Sequence, residues 1–185
     1  MQFRIHNEGW VYFLISCLIT IVIIPFYTIL GILLCILSAY IFYFFRDPIR
    51  AIPKDDVIVS PADGLVTFIG NEKSPLKNSL DKNNYTKISI FLSIFDVHVN
   101  RMPLDACIES INYIPGKFLN ATLDKSSKEN ERNIIYAKKN DDNFYVVQIA
   151  GLIARRIICN IKNNQEVIKG DRIGIIKFGS RVDLY

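Results

Sequence analysis

With 185 residues and a net charge of +4, the chain has length for one domain and an appendage, and its charge excess is too small for a nucleic-acid binder. Half the residues are hydrophobic, which is high for a soluble protein. The four cysteines, Cys17, Cys35, Cys107 and Cys159, form no Cys-x-x-Cys pair, and the only histidines are His6 and His98. That composition argues against a zinc site, a histidine-based metal site or a disulfide framework, and suits a reducing compartment.

The apolar residues are concentrated near the N-terminus. From Trp10 to Phe45 there is no Asp, Glu, Lys or Arg, which reads as a membrane segment. One straight helix over that stretch would run to roughly 54 Å against a bilayer core of about 30 Å. Pro25 near its middle and Gly31 beyond it predict a break into two short helices. Each pass is at the low limit for a span, so a shallow hairpin within one leaflet is an equal alternative. Arg4 before the run, and Arg46, Arg50 and Lys54 after it, predict that both ends lie on the cytoplasmic side. The run is too long for a cleaved signal peptide and no small-residue cleavage site follows it. An anionic membrane surface is the expected partner.

Asp47-Pro48 and Ile52-Pro53 mark a boundary, giving a membrane anchor over 1–50 and a β-rich domain over 51–185. Short apolar runs between turn residues predict strands near 57–59, 65–69, 87–92, 108–114, 134–138, 144–150, 157–161 and 172–177. Residues 71–84 and 120–133 are polar and read as loops, and Lys169-Gly170-Asp171 reads as a turn into the last strand. The expected class is mainly β (α+β): a compact barrel- or sandwich-like domain behind an N-terminal helical membrane hairpin.

Four stretches carry possible chemistry. Ser60-Pro61-Ala62-Asp63-Gly64 is a tight turn in which Asp63 either caps its own backbone or serves a site. In Phe95-Asp96-Val97-His98-Val99-Asn100-Arg101, strand alternation would put Asp96, His98 and Asn100 on one face. Arg155 and Arg156 end an apolar run, where they would meet a phosphate or solvate an edge. Gly179-Ser180 is either a turn or a bond the protein cuts in itself. In the second case the serine oxygen attacks the preceding carbonyl, the amide becomes an ester, and β-elimination and hydrolysis leave a pyruvoyl group. A base near neutral pH is needed, and an imidazole oriented by a carboxylate supplies one.

These segments together resemble the phosphatidylserine decarboxylase proenzymes, in their short, membrane-anchored branch. The resemblance is carried by Phe44-Phe45-Arg46-Asp47-Pro48, the turn ending Asp63-Gly64, the run from Phe95 to Arg101, and Pro115-Gly116-Lys117-Phe118-Leu119-Asn120-Ala121. It continues through Glu129-Asn130-Glu131-Arg132-Asn133, the run from Gln148 to Arg156, and Phe178-Gly179-Ser180-Arg181-Val182-Asp183. It implies cleavage between Gly179 and Ser180, with Ser180 the precursor of the pyruvoyl cofactor and Asp63 and His98 acting with it as a relay. It further implies a carboxy-lyase that binds phosphatidylserine, with Arg155 and Arg156 as candidate headgroup contacts, and releases phosphatidylethanolamine. No metal is implied. The cleaved large and small chains would form a heterodimer at the cell membrane, with the catalytic domain on the cytoplasmic face.

Two departures bear on activity. The long branch of the family carries a second histidine three residues after the first, where this chain, like the short branch, has Arg101. The family also continues for further strands after Gly-Ser, whereas only Ser180 to Tyr185 follow here, so the domain is expected to be truncated. A cut hexapeptide would then have few contacts to hold it. The alternatives are a membrane-anchored serine hydrolase built on the same Asp63, His98 and Ser180, and a truncated, inactive homologue serving as a membrane-tethered β module. No Gly-x-Ser-x-Gly elbow supports the hydrolase.

Overall fold

A computed structural model describes residues 4–76, 83–117, 129–151, 156–177 and 180–185. The chain divides into two compact units, Met1–Arg50 and Ala51–Tyr185.

In the first unit, helix α1 (Asn7–Ile23) and helix α2 (Thr28–Phe44) form an antiparallel pair. The break falls at Pro25, as its missing N–H and fixed φ require. His6 caps α1 by accepting the Glu8 N–H at Nδ1, and the two ends are tied by His6 N to Phe45 O (2.8 Å) and Asp47 N to Arg4 O (2.7 Å). Small and polar residues face inward. Gly9 lies against Phe45, Gly31 against Ile24, and the Thr20 and Ser38 hydroxyls meet across the pair at 3.4 Å. The bulky apolar residues point outward, with Leu14, Leu18, Ile21, Ile29, Leu33 and Ile36 all more than half exposed. The expected two-helix break is present. Neither helix, at 17 residues, is long and apolar enough to cross a membrane, and the same holds for every helix among the described residues.

The second unit is built on a seven-stranded antiparallel sheet. Its strands are β1 (Leu65–Lys73), β2 (Asn84–Leu92), β4 (Ala106–Ile114), β5 (Arg132–Lys139), β6 (Asp142–Ala150), β8 (Glu166–Val167) and β10 (Ser180–Leu184), in the order β1-β2-β10-β6-β5-β4-β8. A second sheet joins β3 (Val99–Arg101), β9 (Arg172–Ile176) and β7 (Ile157–Cys159) in the order β3-β9-β7. Ile90, Leu92, Ile135, Val146, Ala150 and Val182 of the large sheet share one core with Met102, Ile157, Ile173 and Ile176 of the small sheet and its flank. The class is therefore α+β with two sheets over a common core, and the barrel expectation is corrected. β1 and β8 are the two open ends of the sheet, and β8 has only two residues with which to pair.

Most predicted strands are present; five extend past the predicted ends by one to four residues, while those at 157–161 and 172–177 stop early, at Cys159 and Ile176. The run at 57–59 is not a strand, although Val59 N still bonds Pro103 O at 3.1 Å. The segment 93–98 is a turn, closed by Ser93 N and Oγ, which both donate to Asp96 Oδ2 at 2.8 and 2.7 Å. Asp96 therefore serves this turn and does not share a strand face with His98 and Asn100. The middle of one predicted loop, 77–82, and the first part of the other, 120–128, lie outside the described residues.

The largest departure is the tail. Ser180–Leu184 is an interior strand, with Ser180 opposite Leu92 of β2 on one side and Ala150 of β6 on the other. Val182 is fully buried in the core. On the opposite sheet face Arg181 forks onto Asp183 (2.6 and 3.1 Å), and Lys87 of β2 lies 3.5 Å from Asp183 and 2.8 Å from Glu72 of β1. The Tyr185 hydroxyl donates to Glu72 at 3.3 Å, and burial pushes its pKa well above the ordinary value. The expectation that this segment has few contacts is thus overturned. The sequence pattern misled because Arg181 and Asp183 look like surface residues, whereas they are buried as a pair.

Removing one partner of a buried ion pair costs about 3–5 kcal/mol, because the other charge is left in a low dielectric. Asp183→Ala strands Arg181 and leaves Lys87 with Glu72 alone, so the unfolding free energy from urea titration is expected to fall by that amount at an unchanged slope. A loss below about 1 kcal/mol, the range of exposed pairs, would show that the Arg181 guanidinium reaches water instead.

Candidate active site

The site is assembled from three segments far apart in sequence. Val59 N to Pro103 O (3.1 Å) and Arg101 N to Pro61 O (2.8 Å) lay residues 59–61 antiparallel to β3. Half-buried Asp63 follows two residues after this segment, in the run of bends at 61–64. Gly64 makes the turn possible: its φ is +145°, and a Cβ there would run into the carbonyl of Phe91 at the end of β2.

His98 is fully buried, and its Nδ1 lies 3.0 Å from the carbonyl oxygen of Asp96. A carbonyl only accepts, so Nδ1 must carry the proton and Nε2 the lone pair. The backbone of the 93–98 turn thereby leaves the neutral imidazole with a basic Nε2. The His98 carbonyl accepts from Ile176 N at 3.3 Å, which ties the histidine to β9, four residues ahead of Ser180. Four extended residues reach at most about 14 Å.

Ser180 opens β10 and faces the space between the two sheets, on the same side as Val182. Its Oγ is buried and, among the described residues, has no hydrogen-bond partner. An unmet buried hydroxyl costs about 1–3 kcal/mol. The carbonyl of Ala150, directly across the ladder, is taken by Asn130 Nδ2 at 2.8 Å.

Of the other predicted residues, Gly179 and Arg155 lie outside the described residues, and Arg156 is exposed. Sequence reasoning missed a buried amide chain in which Asn133 Nδ2 donates to Gln148 Oε1 (3.0 Å) and Gln148 Nε2 donates to Asn100 Oδ1 (2.9 Å). Amides carry no charge and no motif of their own, and these three lie on β5, β6 and β3. Asn100 was singled out beside His98, but nothing in the residues joined it to Asn133 and Gln148, each a polar residue at a core-facing position of an apolar strand. Among the described residues, no group of three or more His, Cys, Asp or Glu is placed to hold a metal ion.

Residues 37–185 match the family described as phosphatidylserine decarboxylase. The chain belongs to that family. It is 46% identical to the phosphatidylserine decarboxylase proenzyme of Pelagibacter ubique, over 98% of this chain and 86% of that protein. It is 48% identical to the proenzyme of Ehrlichia chaffeensis, over 98% of this chain and 80% of that protein, and 44% identical to that of Rickettsia conorii, over 98% and 79%. Similarity of this extent favours neither the serine hydrolase nor the inactive β module. The matched region includes Asp63, His98 and Ser180.

If the Ser180 hydroxyl is kept against its own cost, removing it should stabilise the fold. In chains that remain uncut, Ser180→Ala is expected to raise stability by about 1–2 kcal/mol, read from urea unfolding against an uncut chain that retains the serine. An equal loss would mean that the hydroxyl is satisfied in solution.

Proposed function

We propose that the chain is a phosphatidylserine decarboxylase proenzyme that cuts itself between Gly179 and Ser180. The observation that carries this reading is the buried hydroxyl of Ser180, without a partner among the described residues, at the head of an interior strand in a chain of this family. A hydroxyl kept out of water and out of hydrogen bonds fits a residue that is to be consumed, and the pyruvoyl group left at its position fits the same space. That group supplies a carbonyl able to act as electron sink for loss of CO2 from an amino acid headgroup.

The protein's own groups do the rest. His98, whose Nδ1–H donates to the Asp96 carbonyl, presents Nε2 as the base for the serine proton and later as an acid for the product carbon. Asp63, two residues beyond the segment bonded to Arg101, would favour the cationic imidazole formed when that proton arrives. Arg155 and Arg156 are proposed headgroup contacts, with the exposed Arg156 available to a phosphate. After cutting, the strand that starts at residue 180 remains with the large chain as its small partner, because it is paired on both sides.

Intact mass of the purified protein tests processing. A cut between Gly179 and Ser180 with a pyruvoyl-blocked small chain is expected, along with CO2 release from phosphatidylserine. Ser180→Ala should remain uncut, and His98→Ala and Asp63→Ala largely so. Efficient cutting of the alanine variant at 180 would remove the acyl-shift chemistry.

We further propose that the α1–α2 hairpin lies shallowly in the cytoplasmic leaflet of the cell membrane. Its inverted packing, with bulky apolar residues outward and hydroxyls inward, supports this, as do two helices of about 26 Å each. Deleting residues 10–45 is expected to move the protein from the membrane to the soluble fraction with unfolding of the β domain unchanged. Persistent membrane sedimentation of the shortened protein would place the anchor elsewhere.

A further inference from the structure

We propose that Asn100 donates the hydrogen bond that Ser180 Oγ takes up as it loses its proton, with Gln148 and Asn133 fixing the Asn100 carboxamide in the donating orientation. This rests on the self-cleavage reading and adds a residue to it. Two buried polar atoms are left over in the space between the sheets, and they are complementary in kind. One is Ser180 Oγ and the other is Asn100 Nδ2, neither with a hydrogen-bond partner among the described residues. The other two such atoms, Ser89 Oγ and Asn143 Oδ1, are not in this position: Ser89 pairs with Asp183 on the opposite face of the sheet, and Asn143 lies near the far end of β6.

The placement follows from the strand pattern. Gln148 lies between Val146 and Ala150 on β6, both in the shared core, so its side chain points into the inter-sheet space. Asn100 reaches it from β3, so the β3 face carrying Asn100 looks onto the large sheet. His98 is two residues back along the same chain. On β10, Val182 lies directly across from Gln148 and Ser180 across from Ala150, which makes Ser180 the diagonal neighbour of Gln148. Diagonal neighbours on adjacent antiparallel strands are roughly 7–8 Å apart, within reach of a long side chain carrying a partner at its tip.

The orientation of Asn100 is set by what holds it. Asn133 Nδ2 occupies Gln148 Oε1, so Gln148 has only Nε2 to offer, and Asn100 must answer with Oδ1. Its Nδ2 is then the free end, a donor preset in a buried, fully desolvated layer. In the step itself the Oγ–H proton passes to His98 Nε2 and the electron pair left on Oγ forms the bond to the preceding carbonyl carbon, whose π pair moves to its oxygen; on the return of that pair the C–N bond breaks, and the amine nitrogen of residue 180 takes the proton back from His98. Nothing is oxidised or reduced. An oxygen gaining charge in that layer needs a donor that does not have to reorganise. The apolar neighbours Val182, Ala150 and Leu92 supply none.

The test is the rate of self-cleavage, followed by intact mass on the full chain. Asn100→Asp keeps the acceptor for Gln148 and replaces the donor with an oxygen. Asn100→Ala removes the donor without adding charge, and covers the case in which the aspartate variant does not fold. Each is expected to slow cutting by roughly 100-fold or more, the usual effect of losing one such donor, with thermal unfolding still cooperative. For Asn100→Asp the deficit relative to the unsubstituted chain should narrow between about pH 8 and about pH 5, as a buried carboxyl gains a proton it can donate. A purely structural role gives no such narrowing. Neutral hydroxylamine, which cleaves an ester but not an amide, should leave the uncut variants intact. Cutting at the unsubstituted rate in either folded variant, or hydroxylamine cleavage showing that the ester has already formed, overturns the proposal. If the unsubstituted chain itself is not cut, the self-cleavage reading fails, and that outcome is separate from both.

Discussion

The two-sided pairing of β10 is the constraint on which the rest of the domain depends. A strand hydrogen-bonded to β2 on one edge and β6 on the other has a fixed backbone, so the direction of every side chain is fixed with it. Register is locked from both faces. Val182 must face the core, and Arg181 and Asp183 must face the opposite side, where Lys87 and Glu72 complete the charge set. A slip of one residue would drive Arg181 and Asp183 into the apolar core and take Val182 out of it. Because Ser180 alternates with Val182, the lock that positions the core valine also aims the serine hydroxyl between the sheets.

The small sheet supplies the chemistry opposite that hydroxyl. β3 is only three residues long, yet it is held by pairing to β9 and by backbone bonds from the 59–61 segment. It follows a turn whose carbonyl, at Asp96, sets the His98 tautomer. The imidazole is thereby oriented by backbone, which a side-chain substitution cannot easily disturb. Polar atoms without partners are costly in such a layer, and two of them, on Ser180 and Asn100, face the same space. Apolar groups at those positions would cost the fold less, which is what the proposed roles of the two residues require.

How much of this could be read from the residues depends on the kind of signal each element carries. The helical pair was visible because a charge-free run broken by Pro25 has few alternatives. β5 and β6 were visible as apolar runs, although Tyr145, Val147 and Ile149 are buried on the face that alternation would assign to water, beneath a second cluster with Ile134. β10 was not visible, because Arg181 and Asp183 neutralise one another within one strand and so escape the rule that charges lie outside. Asp63, His98 and Ser180 were individually ordinary and became a site only through resemblance. The Asn133–Gln148–Asn100 chain was invisible for a physical reason: its members are joined by strand pairing and sheet packing across long separations.

The position of β10 also governs the fate of the small chain if the bond before Ser180 is cut. A short peptide on a surface would be lost, since joining two bodies costs an estimated 4–15 kcal/mol in translational and rotational freedom. This strand is not on a surface. Its departure would open two ladders at once and present β2 and β6 as bare edges. It would uncover the core at Val182 and leave Lys87, itself buried, without Asp183. Each of these costs falls on the large chain as well as on the strand, and none depends on the severed bond. The same packing that makes the hydroxyl hard to reach by solvent would therefore hold the strand if its covalent link were cut, so the burial of the hydroxyl and the hold on the strand have one structural cause.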